Sequence, residues 1–135
     1  MLNAEGMNPV RILLVDDNVL VARLIATRLE MTGRFTVRFE SSPSTALKVN
    51  REFQPDVWLL DVDMPGMTGP ELATKLRQEP GCGKIPTIFL TSLISVEEAG
   101  EQELVSNGHR YLSKSAANEV IVRCIDRALH LPEAA

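Results

Sequence analysis

Short continuous apolar runs alternate along this chain with longer stretches in which apolar residues recur at helical spacing. The alternation repeats five times and is typical of an α/β protein. Because continuous apolar runs suit strands that are covered on both faces, the pattern favours a parallel sheet between two helical layers. The predicted strands are residues 11–15, 35–39, 56–60, 85–90 and 110–112, and the predicted helices are residues 19–31, 44–51, 70–77, 96–106 and 116–129.

Three of these elements carry further information. The second strand alternates apolar and polar residues, as an edge strand does. The fourth helix is only weakly amphipathic, with Gly100 inside it, and is a candidate mobile element. The fifth helix is expected to turn Glu119, Arg123 and Asp126 outward and to pack on the sheet. Its apolar stripe comprises Ala117, Val120, Ile121, Cys124, Ile125 and Ala128.

Five right-handed crossovers predict a flavodoxin-like, doubly wound, five-stranded parallel sheet with five helices and strand order 2-1-3-4-5. With 135 residues, of which 44% are hydrophobic and 24% charged, the chain predicts one domain with one core. Its expected boundaries are an N-terminal extension over residues 1–10, the folded domain over residues 11–130, and a tail over residues 131–135.

Charge and apolar content restrict the classes of function. The net charge of −4 comes without a cluster of Lys and Arg, which disfavours direct nucleic-acid binding. No apolar stretch approaches the roughly 20 residues of a membrane span, and the first residues do not resemble a signal peptide, so a cytoplasmic location is expected. Cys82 and Cys124 have neither the spacing nor the histidine neighbours of a metal site and are interpreted as ordinary thiols.

Acidic residues follow two of the predicted strands. Asp16 and Asp17 come directly after the first strand, and Asp61 directly after the third. In the predicted order these strands are neighbours, so three carboxylates converge at the carboxyl edge of the sheet, where open α/β sheets place their sites. Such an oxygen-rich cluster suits Mg²⁺. Thr91 and Lys114 follow the fourth and fifth strands and reach the same edge.

These residues, with the segment 61–69 that reads Asp-Val-Asp-Met-Pro-Gly-Met-Thr-Gly, closely resemble the receiver domain of bacterial two-component response regulators. The resemblance extends from about residue 11 to residue 129. It implies that Asp61 accepts a phosphoryl group from a sensor histidine kinase or a phosphotransfer protein. It also implies that Asp16 and Asp17 hold Mg²⁺ together with Asp61 and the backbone carbonyl of Asp63.

The resemblance further implies a switch. Thr91 would bond a phosphoryl oxygen, Tyr111 would rotate into the space left behind, and Lys114 would counter negative charge on the phosphoryl group. The signal would leave through the fourth helix, fifth strand and fifth helix toward a protein target, with a phosphorylation-dependent homodimer as one outcome. The domain would be a signalling protein that catalyses only its own phosphorylation and dephosphorylation, either alone or within a longer chain.

The chain departs from the family pattern at three positions. Ser115 replaces the proline that usually follows the lysine through a cis peptide, so either the peptide is trans or strain is retained, because a cis bond to serine costs about 2.5 to 4 kcal/mol. Asp63 adds a carboxylate at the rim of the site. His109 replaces a small residue before the fifth strand and is expected to alter the face that partners use.

Other classes of protein fit parts of the pattern. Residues 61–63 match the start of the aspartyl-phosphate motif of haloacid-dehalogenase-type phosphatases, but Pro65 occupies its Thr or Val position and the motif follows the third strand instead of the first. A flavin-binding module is opposed by the acidic loop after the first strand. A third alternative is a degenerate receiver that acts as a phosphorylation-independent interaction module. The carboxylates alone also fit a solvated turn and helix cap.

Overall fold

A computed structural model describes residues 8–92, 104–106 and 109–129. The strands are β1 (Val10–Val15), β2 (Phe35–Glu40), β3 (Val57–Asp61), β4 (Asp63–Met64), β5 (Met67–Thr68), β6 (Thr87–Thr91), β7 (Leu104–Ser106) and β8 (His109–Ser113). The helices are α1 (Val19–Glu30), α2 (Pro43–Phe53), α3 (Gly69–Arg77) and α4 (Asn118–Ala128). Their order gives the expected α/β architecture.

The main sheet has the order β2-β1-β3-β6-β8-β7, and its first five strands are parallel. Numbered among themselves, these five strands have the predicted order 2-1-3-4-5, and the alternating strand β2 lies at an edge as predicted. Strands β4 and β5 form a separate two-stranded hairpin between β3 and α3. The strands that precede the acidic residues are therefore adjacent, as the site requires.

The sequence predicted a fourth helix over residues 96–106, and the last part of that prediction is wrong. Residues 104–106 form β7, which pairs antiparallel with β8 through Val105↔Arg110. Hydrogen bonding to a neighbouring strand outweighed a helical pattern that was weak in the sequence. Residues 96–103 lie outside the described part of the chain. The described residues thus contain four helices in place of the predicted five.

Two apolar clusters cover the two faces of the sheet, which explains the unbroken apolar runs of the central strands. Along β1, Ile12 and Leu14 face α1 and α4, while Leu13 and Val15 face α2 and α3. Strand β3 divides in the same way, with Trp58 fully buried on the second face. This packing fixes the register of the strands whose ends form the site.

Polar side chains cap the helices where the chain enters them. Asn18 accepts a hydrogen bond from Val21 N, and Ser42 accepts one from Thr45 N at the start of α2. Thr68 and Glu71 form a reciprocal capping box at α3. Each cap ends a connection from a strand, so the loops at the carboxyl edge are tied down.

Helix α4 packs on the sheet as predicted, with two differences. Ala117 precedes the helix as its N-cap residue and is exposed. Asp126 was expected to turn outward but is only 1% exposed, because it forms a bidentate ion pair with Arg34, whose Nη2 lies 2.5 Å from Oδ1. A cation 92 residues away in sequence thus permits a carboxylate in the core.

Candidate functional site

Three carboxylates meet at the carboxyl ends of β1 and β3. Asp16 and Asp17 follow Val15, and Asp61 is the last residue of β3, and each side chain brings one oxygen to within 4.8 Å of the others. Asp16 and Asp61 are buried, whereas Asp17 is exposed. The parallel pairing of β1 with β3 makes this convergence, as the sequence predicted.

Lys114 reaches the same cluster from the loop after β8. Its Nζ donates a hydrogen bond to Asp16 Oδ1 at 3.1 Å. The same Nζ forms an ion pair with Asp61 Oδ2, also at 3.1 Å. The Lys114–Ser115 peptide is trans. Lys114 N also donates to Thr91 O, which ties the loop to β6. A trans bond to Ser115 therefore still delivers the ammonium to the carboxylates.

The close approach of like charges changes the proton affinity of the cluster. Burial and the neighbouring carboxyl group of Asp17 raise the pKa of Asp61 from its ordinary 3.8 to about 7, and the ammonium of Lys114 offsets part of that rise. Burial lowers the pKa of Lys114, but the carboxylates of Asp16 and Asp61 outweigh it, so its pKa is raised. One ammonium thus incompletely neutralises three carboxylates.

The donor set fits Mg²⁺. All three side chains offer the oxygen ligands that this cation prefers. Oδ2 of Asp16 and Oδ2 of Asp61 are buried and accept no hydrogen bond from the described part of the chain. The ammonium of Lys114 lies 3.1 Å from each of them, but one positive charge does not neutralise both buried carboxylates, and a divalent cation would supply the missing charge.

The hairpin β4–β5 and the start of α3 contact Asp61 and the residue after it. Asp63 N donates to Asp61 Oδ1 at 3.3 Å, and Gly69 N donates to Val62 O at 2.8 Å. A Cβ on Gly69 would lie 2.4 Å from the carbonyl oxygen of Asp61, so only glycine allows the backbones to approach this closely. The sequence motif contained Gly69, but nothing in the sequence marked this contact.

The remaining predicted residues lie around the cluster at different distances along the strands. Thr91 is buried at the end of β6, the strand that pairs with β3. Tyr111 lies on the neighbouring strand β8 at the level of Phe89, two residues toward the amino edge from Thr91. Its ring packs against Phe89 with centroids 5.4 Å apart, and His109 contacts the same Phe89 ring edge-on. The structure therefore brings Thr91 to the site edge and places Tyr111 partly buried beside it.

The fold and the site define a class of protein, a doubly wound α/β domain with a cluster of carboxylates and one lysine at the carboxyl ends of its central strands. Comparison with known proteins identifies the family. The response regulator receiver domain matches residues 12–126. The chain belongs to this family, whose general function is phosphoryl transfer in two-component signalling. Membership leaves the phosphatase and flavin-binding alternatives without support.

Individual relatives agree with this assignment. TcrX of Mycobacterium tuberculosis is 34% identical over 125 residues, which are 90% of this chain and 50% of TcrX. The polar-differentiation response regulator DivK of Brucella anthropi is 30% identical over 78% of this chain and 85% of DivK. The solved structure of the chemotaxis protein CheY4 of Vibrio cholerae has 26% identity and a TM-score of 0.75, covering 90% of this chain and all of CheY4. The chain thus spans only half the length of TcrX.

Receiver domains are signalling domains that interact with histidine kinases or phosphotransfer proteins, and they typically bind Mg²⁺. No helix in the described part of this chain is long and apolar enough to cross a membrane. Membership in the family establishes the general function of the domain, and the roles of individual site residues are proposed below.

Proposed function

We propose that Asp61 is the phosphoacceptor of this receiver domain and that Asp16, Asp17, Asp61 and the backbone carbonyl of Asp63 hold Mg²⁺. The observation that carries the proposal is the convergence of three carboxylates with the Lys114 ammonium, whose Nζ lies 3.1 Å from oxygens of Asp16 and Asp61. A purely structural cluster would pair its charges, whereas this one retains an excess of carboxylates.

The proposed reaction is a direct displacement at phosphorus. A carboxylate oxygen of Asp61 attacks the phosphoryl group of a phosphohistidine, the phosphorus–nitrogen bond breaks, and the leaving imidazole nitrogen takes up a proton. Bound Mg²⁺ supplies positive charge to the phosphoryl oxygens. Lys114 supplies a second positive charge from the loop after β8, and Asp63 N fixes the orientation of the attacking carboxylate through Asp61 Oδ1.

Thr91 and Tyr111 would convert phosphorylation into a change of surface. Thr91 lies at the end of the strand beside β3, so its hydroxyl would bond a phosphoryl oxygen on Asp61 and draw the following loop inward. Tyr111 is half-buried against Phe89 and would rotate as that loop moves. The surface proposed to signal includes β8 and α4, together with the predicted fourth helix, of which residues 96–103 lie outside the described part of the chain.

The donor would be a sensor histidine kinase or a phosphotransfer protein in the cytoplasm, and the receiver of the signal a protein partner or a second copy of the domain. Because the chain spans half of TcrX, the family assignment covers the receiver domain and does not extend to the downstream activity of a longer protein. The test below addresses the phosphoacceptor, on which every later step depends.

Intact-mass measurement after incubation with Mg²⁺ and acetyl phosphate tests the proposal. The wild-type protein should gain one phosphoryl group, the gain should require Mg²⁺, and Asp61→Asn should show none. The matched control is Asp63→Asn, which removes an exposed carboxylate two residues away and should still be phosphorylated. Phosphorylation that survives Asp61→Asn would reject this assignment, and a folded, Mg²⁺-replete wild type without any gain would indicate a degenerate receiver.

A further inference from the structure

One buried aromatic ring links the backbone beneath the proposed phosphoacceptor to the surface of β8. Phe89, in the middle of β6, is only 1% exposed. Its Cδ1 lies 3.2 Å from the point that a Cβ of Gly69 would occupy, and Gly69 is the residue that packs against the Asp61 carbonyl. On β8 the Phe89 ring meets two further rings, those of Tyr111 and His109. A displacement of Asp61 therefore reaches β8 through a single side chain.

The two rings on β8 contact Phe89 in different ways. Tyr111 is in register with Phe89 across the parallel pair of β6 and β8, and the two ring planes are tilted by 32° with centroids 5.4 Å apart. His109 lies two residues earlier on β8, and its ring meets the Phe89 ring at 73° with centroids 5.5 Å apart. Both distances lie within the range in which aromatic pairs attract each other beyond the burial of their area. Because alternate residues of a strand point to the same face, Tyr111 and His109 share one face of β8.

The exposure of the three rings separates their roles. Phe89 is buried and Tyr111 is partly buried, whereas His109 is exposed, so His109 contacts Phe89 from the outer side of this aromatic cluster. A ring that is already held in place loses less conformational entropy when another group packs on it. Replacing His109 by a small side chain would free one edge of Phe89 and make the packing of Tyr111 on it less favourable. The position of Tyr111 seen here thus depends on His109.

We infer that His109 is a positioning residue of the Tyr111 switch, which holds Phe89 so that Tyr111 keeps the packed position seen here. The inference rests on the proposed function, in which Tyr111 rotates when Asp61 is phosphorylated. It adds that His109 opposes this rotation through Phe89, from the start of β8, whereas the carboxylates lie at the carboxyl edge of the sheet. Loss of the His109 ring should raise the ratio of rotated to packed Tyr111 about two- to tenfold, the range that one aromatic pair supports.

Fluorine NMR of protein labelled with fluorotyrosine tests the inference, because Tyr111 is the only tyrosine in the chain. Spectra are recorded without ligand and with Mg²⁺ and beryllium fluoride, which imitates a phosphoryl group on a carboxylate. We expect His109→Ala to move the ligand-free resonance toward its position in the beryllium fluoride complex. We expect His109→Phe, which keeps an aromatic ring at this position, to restore the wild-type resonance. A purely structural His109 would change the free energy of unfolding, measured in urea, without moving the resonance.

The matched control is Val105→Ala, which shortens an exposed side chain on the neighbouring strand β7, where Val105 pairs with Arg110. It should leave the Tyr111 resonance at its wild-type position. If the wild-type resonance responds to beryllium fluoride, a His109→Ala spectrum identical to wild type, or an equal shift in Val105→Ala, would overturn the inference and leave the proposed function standing. A wild-type Tyr111 resonance that stays fixed while intact mass shows phosphorylation of Asp61 would overturn the proposed switch and the inference together.

Discussion

The two edges of the sheet treat buried polar groups in opposite ways. At the amino edge, Trp58 Nε1 donates to Asn50 Oδ1 at 2.9 Å, and Asn50 Nδ2 donates to Cys82 Sγ. At the carboxyl edge, Asn118 Oδ1 is buried without a hydrogen-bond partner in the described residues, and Oδ2 of Asp16 and of Asp61 share the single Lys114 ammonium, 3.1 Å from each. The apolar residues of β1 and β3 between the two edges are fully buried.

This difference separates stability from function within one sheet. An unsatisfied buried polar group costs roughly 1 to 3 kcal/mol, so a fold selected only for stability would pair these oxygens as the amino edge pairs its own. The carboxyl edge instead keeps carboxylates in excess over cations, as the proposed Mg²⁺ site requires. The predictions below test that contrast, in order of decreasing effect.

The largest effect concerns the charge of Asp61. The folded protein holds the proton of Asp61 up to pH about 7, whereas the unfolded chain releases it near 3.8. A folded-state pKa that is raised adds stability below the lower value, and this contribution is lost as pH rises through the higher one. Without Mg²⁺, Asp61→Asn should therefore stabilise the protein relative to wild type by an amount that grows by roughly 2 to 4 kcal/mol between pH 4 and pH 8.

Urea unfolding at several pH values in EDTA measures this difference. Asp56→Asn, at the amino edge, serves as the comparison because its carboxylate is about half exposed in an ion pair with Arg11. The growth with pH should be larger for Asp61→Asn than for Asp56→Asn, because of these two carboxylates Asp61 is the buried one. An Asp61→Asn curve that runs parallel to the wild-type curve would mean that the carboxyl edge carries no excess charge.

The next effect concerns the backbone beneath Asp61. Gly69→Ala places a Cβ against the Asp61 carbonyl, so α3 and β3 must move apart. We expect the free energy of unfolding to fall by roughly 1 to 3 kcal/mol, as overpacking does, and phosphorylation by acetyl phosphate to slow at least tenfold. Gly83→Ala, where a Cβ meets nothing within 4 Å, should change neither quantity measurably.

Unfolding curves and phosphorylation time courses for both variants provide the measurement. Stability lost without any change of rate would show that Asp61 tolerates displacement. That result would contradict the view that close packing of Gly69 positions the phosphoacceptor.

Two asparagines test whether polar groups at the two edges differ in energy. Asn50→Ala leaves the buried Trp58 Nε1 without its acceptor and should cost roughly 1 to 2 kcal/mol. Asn118→Ala removes a buried oxygen that has no hydrogen-bond partner in the described residues, so relieved desolvation and lost packing offset each other and stability should stay within about 0.5 kcal/mol of wild type. Thermal and urea unfolding of both variants decide the matter, and equal costs would remove the distinction between the edges.

The smallest effect is expected at Ser115. Its hydroxyl and N–H contact Ser113 Oγ, while Lys114 is held by the carboxylates themselves. Ser115→Ala should therefore change stability by less than about 1 kcal/mol and the phosphorylation rate by less than twofold. A large fall in rate would show that Ser115, in place of the usual proline, positions the lysine.

The sequence predicted the central part of the molecule well. Continuous apolar runs identified the parallel strands, the alternating run identified the edge strand β2, and the acidic residues after β1 and β3 met as expected. It failed where a distant partner decides the outcome. The sequence predicted an exposed Asp126, but an ion pair with Arg34 holds it in the core. The sequence also predicted a helix over residues 104–106, but these residues pair with β8.

By itself the sequence determined which residues are apolar, where strands end in carboxylates, and which family the motifs resemble, because these properties depend on neighbours along the chain. Only the tertiary structure decided that Lys114 contacts Asp16 and Asp61 and that burial raises the pKa of Asp61. Charge interactions and desolvation depend on distances between residues that are far apart in sequence, and only the folded chain sets those distances.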